Sequence, residues 1–138
     1  MKKLIVFLSF ADLFILIIAK KQVISANSSL EYTFLVYDKA GYKHEVYKPA
    51  KATIILKMVE VNDNIPSFTW EKKLVENISL YDLPGESNPL IRKFNIGSVT
   101  REAYFVYKIN YMNDSSSVSA IEKAVHIDRS RRSLYIGL

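Results

Sequence analysis

One short segment of this 138-residue chain concentrates side chains that carry oxygen atoms, and it spans residues 58–68. Its centre reads EVNDNIP, at residues 60–66. Carboxylate, amide and carbonyl oxygens are the ligands that Ca²⁺ prefers. Asp and Asn favour turns over strands, and Pro66 removes a backbone donor while it favours an extended Ile65. The segment therefore predicts a short, stiff connector between two strands that offers oxygen ligands to calcium.

Catalytic chemistry has little support in the sequence. The chain has no Cys, which excludes disulfides, thiolate metal sites and Cys nucleophiles, and its two histidines are His44 and His126. No nucleophile elbow, phosphate-binding loop or zinc motif occurs. We predict that the protein is not an enzyme, and the alternative is a small secreted hydrolase or transferase that uses His126. Arg129, Arg131 and Arg132 form a basic cluster without aromatic platform or basic helix, so we expect no nucleic-acid partner.

The first 26 residues have the pattern of a secretory signal peptide. Two lysines precede an apolar run at residues 4–19, and the small residues Ser25 and Ala26 follow it. The run has 16 residues, fewer than the ~20 that span a bilayer comfortably. Lys20 and Lys21 directly after the run leave an uncleaved signal anchor as the alternative, which would hold the chain at a membrane. Without this leader the net charge falls from +5 to +2.

Three tripeptides match the acceptor pattern for N-linked glycosylation. Their asparagines are Asn27, Asn77 and Asn113. Each tripeptide is weak support alone, because the pattern arises often by chance. Together with the leader they predict an extracellular or luminal chain.

Alternation of apolar and polar residues predicts strands along most of the remaining chain. Val, Ile, Tyr and Phe are plentiful and Gly is scarce, which favours strands over helices. We expect the first two strands, at residues 30–37 and 52–61, to form an antiparallel pair. Further strands are expected at residues 90–96 and 104–109 and as a pair within 124–136, whereas the polar residues 113–119 are expected to form a loop.

The oxygen-rich segment resembles the linker between tandem cadherin repeats, D-x-N-D-N-x-P-x-F, with Glu60 at the first Asp. Residues 36–41 resemble the family's A-x-D-x-x-G segment, whose Asp binds calcium. The spacing from Trp70 to Glu76 is similar to that between the family's aromatic residue and strand-end acid. Residues 124–136 resemble F-x-I-D-x-x-T-G-x-I, with Arg131-Arg132 at the turn Gly. Ser98 and Thr100 stand where the family has the acids of D-x-D.

The resemblance implies an all-β fold, a Greek-key immunoglobulin-like sandwich of cadherin type. It is expected as two incomplete repeats that follow an N-terminal apolar helix. Residues 27–61 would be the last two strands of one repeat, residues 60–68 a calcium-binding linker, and residues 69–138 the N-terminal part of the next repeat.

The resemblance also implies Ca²⁺ as the cofactor and calcium-dependent, homophilic cell–cell adhesion at the plasma membrane as the function. The partners would be other cadherin molecules, bound homophilically or heterophilically. The alternative is a secreted module that associates with a longer cadherin or blocks it, through its unpaired strand edges. At this linker the implied calcium ligands are Glu60, Asn62, Asp63 and Asn64, the last through its backbone carbonyl. Asp38 and Glu76 match ligands that would serve the preceding and the following linker, respectively.

Overall fold

The computed structural model describes residues 29–114 and 116–138, and this part of the chain contains seven strands and one short 3₁₀ helix. The predicted leader, its apolar helix and Asn27 lie outside the described residues. The strands are β1 (Glu31–Tyr37), β2 (Ala50–Asn62), β3 (Ile65–Ser79), β4 (Leu90–Asn95), β5 (Glu102–Asn113), β6 (Ser116–His126) and β7 (Ser133–Gly137), and the 3₁₀ helix is Glu45–Tyr47.

The strands form two sheets, which confirms the prediction of an all-β fold. Sheet 1 has the order β4-β1-β7, and sheet 2 has the order β3-β2-β5-β6. In sheet 1, β1 pairs antiparallel with β4 and parallel with β7. All three pairings in sheet 2 are antiparallel. Tight hairpins join β2 to β3 and β5 to β6, so those strands lie side by side.

The buried side chains of the described residues form one hydrophobic cluster between the two sheets. Strands β1, β2 and β5 bury every second residue, as the period-2 alternation of a strand with one covered face requires. Phe34 from sheet 1 and Phe105 from sheet 2 meet at its centre, with ring centroids 5.1 Å apart at 78°. The two sheets therefore share a core that contains residues from both sides of the oxygen-rich segment.

The oxygen-rich segment is a hairpin turn in the structure, which differs from the predicted linker between two incomplete repeats. Asn62 ends β2 and pairs with Ile65, the first residue of β3. Only Asp63 and Asn64 lie between them, with φ angles of 48° and 65°. A two-residue hairpin loop with two positive φ angles is the geometry of a type I′ turn, which Asn and Asp tolerate.

A turn this short reverses the chain, and this is why the expected separation into residues 27–61 and 69–138 is not seen. The expectation assumed that a connector too short to run back along the strands must join two separate units. Strand β3 instead runs back beside β2 itself and pairs with it over nearly its whole length. Strand β2 then contributes apolar residues to the same core as β1 before it and β5 after it.

Two local expectations also require correction. Strands β1 and β2 lie in different sheets, because each has one apolar face and the two faces oppose each other across the core. The predicted loop at residues 113–119 contains the start of β6, where Ser116 pairs with Asn113. Strand β6 is exposed along most of its length, so it lacks the apolar alternation that marks a strand in a sequence.

We expect the substitution Asn64→Gly to raise the free energy of unfolding by about 0.5–1 kcal/mol, because Gly adopts positive φ without a steric penalty. The matched variant Asn64→Ala should lower it by about 1–2 kcal/mol, because Cβ disfavours this region. Urea denaturation measures both changes. Equal effects of Gly and Ala would show that residue 64 does not hold a positive φ angle in solution.

Candidate functional site

Four of the six expected calcium ligands lie at the tip of the β2–β3 hairpin. Glu60 and Asn62 are among the last three residues of β2, and Asp63 and Asn64 form the loop. Glu60 is half-buried, whereas the other three are exposed. They come together because they are neighbours in sequence, and Glu60 and Asp63 supply the only carboxylates among them.

Ser98 and Thr100 lie at the same end of the molecule as this tip. They belong to the loop between β4 and β5, and β5 begins at Glu102, which pairs with Val61 near the end of β2. Both side chains are exposed hydroxyls. Hydroxyls are neutral ligands, so this loop adds no charge to balance a calcium ion.

Asp38 lies at the opposite end of the sandwich from the hairpin tip. Its backbone N–H donates to the carbonyl of Pro84. Leu80, which lies four residues before Pro84, donates its backbone N–H to the carbonyl of Ala50 at the start of β2. Strand β2 has 13 residues, which corresponds to roughly 40 Å at the usual rise of a strand. The Asp38 carboxylate also accepts hydrogen bonds from the backbone N–H of Gly41 at 2.7 Å and of Tyr42 at 2.9 Å. It therefore stabilises its own loop.

Glu76 is also separate from the hairpin tip. It lies on the exposed side of β3 and forms an ion pair with Lys73, with Oε1 2.5 Å from Nζ. Within residues 29–114 and 116–138 there is no cluster of three or more His, Asp or Glu side chains that would hold a metal ion. The arrangement thus offers calcium the tip residues alone, without help from Asp38 or Glu76.

The glycosylation candidates within the described residues are exposed. Asn77 has a φ angle of 49°, and its backbone N–H donates to Thr53 Oγ1 at 3.0 Å. Asn113 ends β5, beside Ala50 at the start of β2. Both side chains are solvent-accessible, at the end of sheet 2 away from the hairpin tip.

The outer face of sheet 2 carries a row of apolar and aromatic side chains that crosses all four strands. Phe68 pairs with Val59, Val59 with Tyr104, and Tyr104 with His126, so these four residues share one face. We call them the aromatic row. The side chain of Phe68 is 61% exposed, and the rings of Tyr104 and His126 pack edge to face with centroids 5.3 Å apart.

Polar groups border the aromatic row on both sides. On the side of the hairpin tip, the Tyr104 hydroxyl donates to the carboxylate of Glu102, and this hydrogen bond raises the pKa of Tyr104. On the other side, Lys57 and Glu71 form an ion pair at 3.5 Å. An exposed apolar area with a polar rim is typical of surfaces that bind other proteins. Sequence reasoning missed this row because it depends on the register of four strands.

The two long outer strands carry features that hinder strand addition. Strand β3 contains Pro66 and three irregularities in its pairing with β2. Strand β6 has one irregularity in its pairing with β5, and Lys123 lies opposite the core residue Tyr107, on the inner face. Proline, bulges and inward-facing charges are common protections of sheet edges. The outer face of sheet 2 is therefore a better candidate for binding than its edges.

The basic cluster and the histidines have structural contacts of their own. The backbone carbonyl of Arg132 accepts a hydrogen bond from Thr33 at 2.8 Å, in the turn between β6 and β7. In the same turn Ser130 donates to the carboxylate of Asp128, which lowers the pKa of Asp128. His44 Nδ1 accepts from the backbone N–H of Val46 at 3.4 Å, in the loop between β1 and β2.

Comparison with known proteins found no matching family model, no matching curated protein and no matching solved structure. Among the described residues, no helix is both long enough and apolar enough to cross a membrane.

Proposed function

We propose that this chain is an extracellular adhesion module of cadherin type, which reaches the cell surface through the secretory pathway and binds other cadherin molecules. The observation that carries this proposal is the aromatic row on the outer face of sheet 2, with Phe68 61% exposed. The linker-like motif at residues 58–68, the signal-peptide pattern and the two-sheet fold support it. Within this proposal the fold is a cadherin-type variant of the β-sandwich.

Calcium has a limited role in this proposal. Glu60, Asn62, Asp63 and Asn64 would bind it at the hairpin tip. Two carboxylates compensate the charge of one Ca²⁺, but an ion takes about 6–8 oxygen ligands, so water would complete its shell. The site is therefore expected to be weak, with a dissociation constant of roughly 10⁻⁴–10⁻³ M, as in many extracellular modules.

The full chain, expressed through the secretory pathway of cultured cells and immobilised on beads, tests the proposal. We expect beads that carry it to aggregate in calcium and to aggregate less after chelation. Asp63→Asn removes one carboxylate but keeps a residue that tolerates positive φ, so it should reduce the calcium response and preserve the turn. Asp82→Asn, in an exposed loop at the other end of the sandwich, is the matched control.

Beads that neither aggregate nor bind cells that display cadherins would overturn the adhesion proposal. A calcium response that survives Asp63→Asn unchanged, in calorimetry and on beads, would separately remove calcium from the hairpin tip. The two results are distinguishable, because the first concerns adhesion itself, whereas the second concerns only its dependence on calcium at the tip.

The alternative is a secreted module that blocks a longer cadherin. It uses the same exposed face but competes with adhesion, because one copy occupies the partner without joining two cells. The secreted chain would then reduce aggregation of cells that display a full-length cadherin. Unchanged aggregation in this mixing experiment removes the alternative.

A further inference from the structure

The outer face of sheet 2 continues from the aromatic row towards the middle of the sheet in two further rows. Their members follow from the register of the four strands, and each row is given in the strand order β3, β2, β5, β6. The second row is Glu71, Lys57, Val106 and Ala124, and the third is Lys73, Ile55, Lys108 and Glu122. The third row therefore has positive charges at its β3 end and on β5, and a negative charge at its β6 end.

We propose that this face binds a second copy of the same chain, and that this contact is the adhesive one, which rests on the function proposed above. The two copies are related by a two-fold axis that lies between their faces and runs parallel to the strands, midway between β2 and β5. A rotation about this axis places β3 over β6 of the second copy and β2 over its β5. Each row then faces the same row of the second copy, because the axis runs along the strands.

This arrangement places opposite charges at the two ends of the third row. Lys73, which also pairs with Glu76 in its own copy, faces Glu122 of the second copy, and the symmetry makes this contact twice. Lys108 faces Ile55 of the second copy. In the aromatic row, Phe68 faces the imidazole of His126, and Val59 faces the ring of Tyr104. Aromatic contacts and facing groups of opposite charge are both typical of protein interfaces.

The residues of the second row favour a two-fold axis along the strands over one that runs across the strands. With the axis along the strands, the ion pair of Lys57 and Glu71 faces the uncharged Val106 and Ala124 of the second copy. A two-fold axis across the strands at this row would place Glu71 against Glu71 and Lys57 against Lys57. Like charges in direct opposition weaken an interface, so the strand-parallel axis is the compatible one.

Face-to-face packing is also compatible with the features that protect the sheet edges from strand addition. Two sheets that pack through their faces lie about 10 Å apart, and their side chains interdigitate. Neither Pro66 in β3 nor Lys123 in β6 interferes, because no backbone hydrogen bond forms between the copies. Phe68, on the edge strand β3, is exposed enough to contact the second copy.

Sedimentation velocity of the purified full chain across a wide concentration range tests the proposal. N-linked glycans are removed enzymatically first, because Asn77 contacts Thr53 beside the third row. We expect a monomer–dimer equilibrium, which Phe68→Ser weakens by about tenfold or more, because the exposed ring loses its contact with the second copy. A chain that stays monomeric at every concentration overturns the proposal.

Charge reversal tests the geometry itself. Lys73→Glu alone and Glu122→Lys alone should each weaken the dimer by about tenfold, because each places like charges opposite each other twice. The double variant should restore the affinity to within about twofold of the original, because the pairs are re-formed with reversed sign. Lys93→Glu, on β4 of sheet 1, is the matched control and should leave the dissociation constant unchanged. A double variant as weak as the single ones overturns the proposed axis.

These outcomes separate this proposal from the function proposed above. If beads aggregate but the charge reversals do not change the dissociation constant of the dimer, the outer face of sheet 2 is not the contact. Adhesion through another surface then remains the proposal. If the double variant restores the dimer but beads do not aggregate, the self-association stands and its adhesive role is overturned.

Discussion

Phe105→Ala is expected to lower the free energy of unfolding by about 3–5 kcal/mol. The Phe105 side chain is fully buried and packs edge to face against Phe34, which comes from the opposite sheet. Removal of the ring loses its apolar contacts and leaves a cavity where the two sheets meet. A domain of this size has a total stability of about 5–15 kcal/mol, so the variant should be largely destabilised.

Urea denaturation followed by circular dichroism and by the fluorescence of Trp70, the one Trp of the chain, measures this effect. Trp70 lies near the same ring, with centroids 6.4 Å apart, so both signals should report one transition. Phe68→Ala is the matched control, because it removes an exposed ring and should change stability by less than about 0.5 kcal/mol.

The same experiment tests whether the two sides of the hairpin form one folding unit. Phe34 precedes the turn and Phe105 follows it, yet they share one core. Phe34→Ala should therefore shift the Trp70 transition by a similar amount. If Phe34→Ala leaves that transition unchanged, or if two transitions occur, the chain folds as two units as the linker resemblance implied.

Ile136→Ala is expected to lower the free energy of unfolding by about 2–5 kcal/mol. Ile136 is fully buried and pairs with Val36 in the parallel contact between β7 and β1. Its loss should loosen β7 and the last residue, Leu138, whose carbonyl accepts hydrogen bonds from Lys39 and Ala40 at 2.8 and 2.9 Å. Strand β7 pairs with β1 in sheet 1, whereas β6 pairs with β5 in sheet 2, so the predicted pairing of two strands within residues 124–136 is wrong.

Urea denaturation and hydrogen exchange of the β1 amides measure this loss. Tyr135→Thr is the control on the same strand, because Tyr135 is 57% exposed on the outer face of sheet 1 and Thr retains a preference for strands. We expect it to change stability by about 0.5 kcal/mol or less. Equal effects of the two substitutions would contradict the docking of β7 against the core.

Several strands could be predicted from the sequence because their burial is one-sided. The alternation at residues 30–37 and 52–61 corresponds to β1 and β2 within two residues at each end. The strand expected at residues 104–109 lies within β5, where alternate residues, among them Phe105 and Tyr107, are buried. Most of strand β6 was missed, and only residues 124–126 fell within a predicted strand, because a strand exposed on both faces has no apolar period to detect.

The candidate site was predictable only as a set of residue types. The sequence located the oxygen atoms of Glu60 and Asp63 in one short segment, and they do lie at one hairpin tip. It could not separate a turn from a linker, because Asp and Asn favour both. The resemblance assigned Asp38 and Glu76 to the preceding and following linkers, and in the structure both lie away from the tip. The aromatic row was beyond sequence reasoning, since its members come from four strands.

The sequence by itself determined the all-β character of the chain, which residues of β1, β2 and β5 point inward, and the turn-forming chemistry of Asp63 and Asn64. The tertiary structure alone decided which strands pair, and thereby that the chain reverses at this turn and builds one core. The physical reason is that a period of two specifies the face of a strand but not its neighbour. Neighbours are chosen by contacts between residues far apart in the chain, such as Phe34 and Phe105.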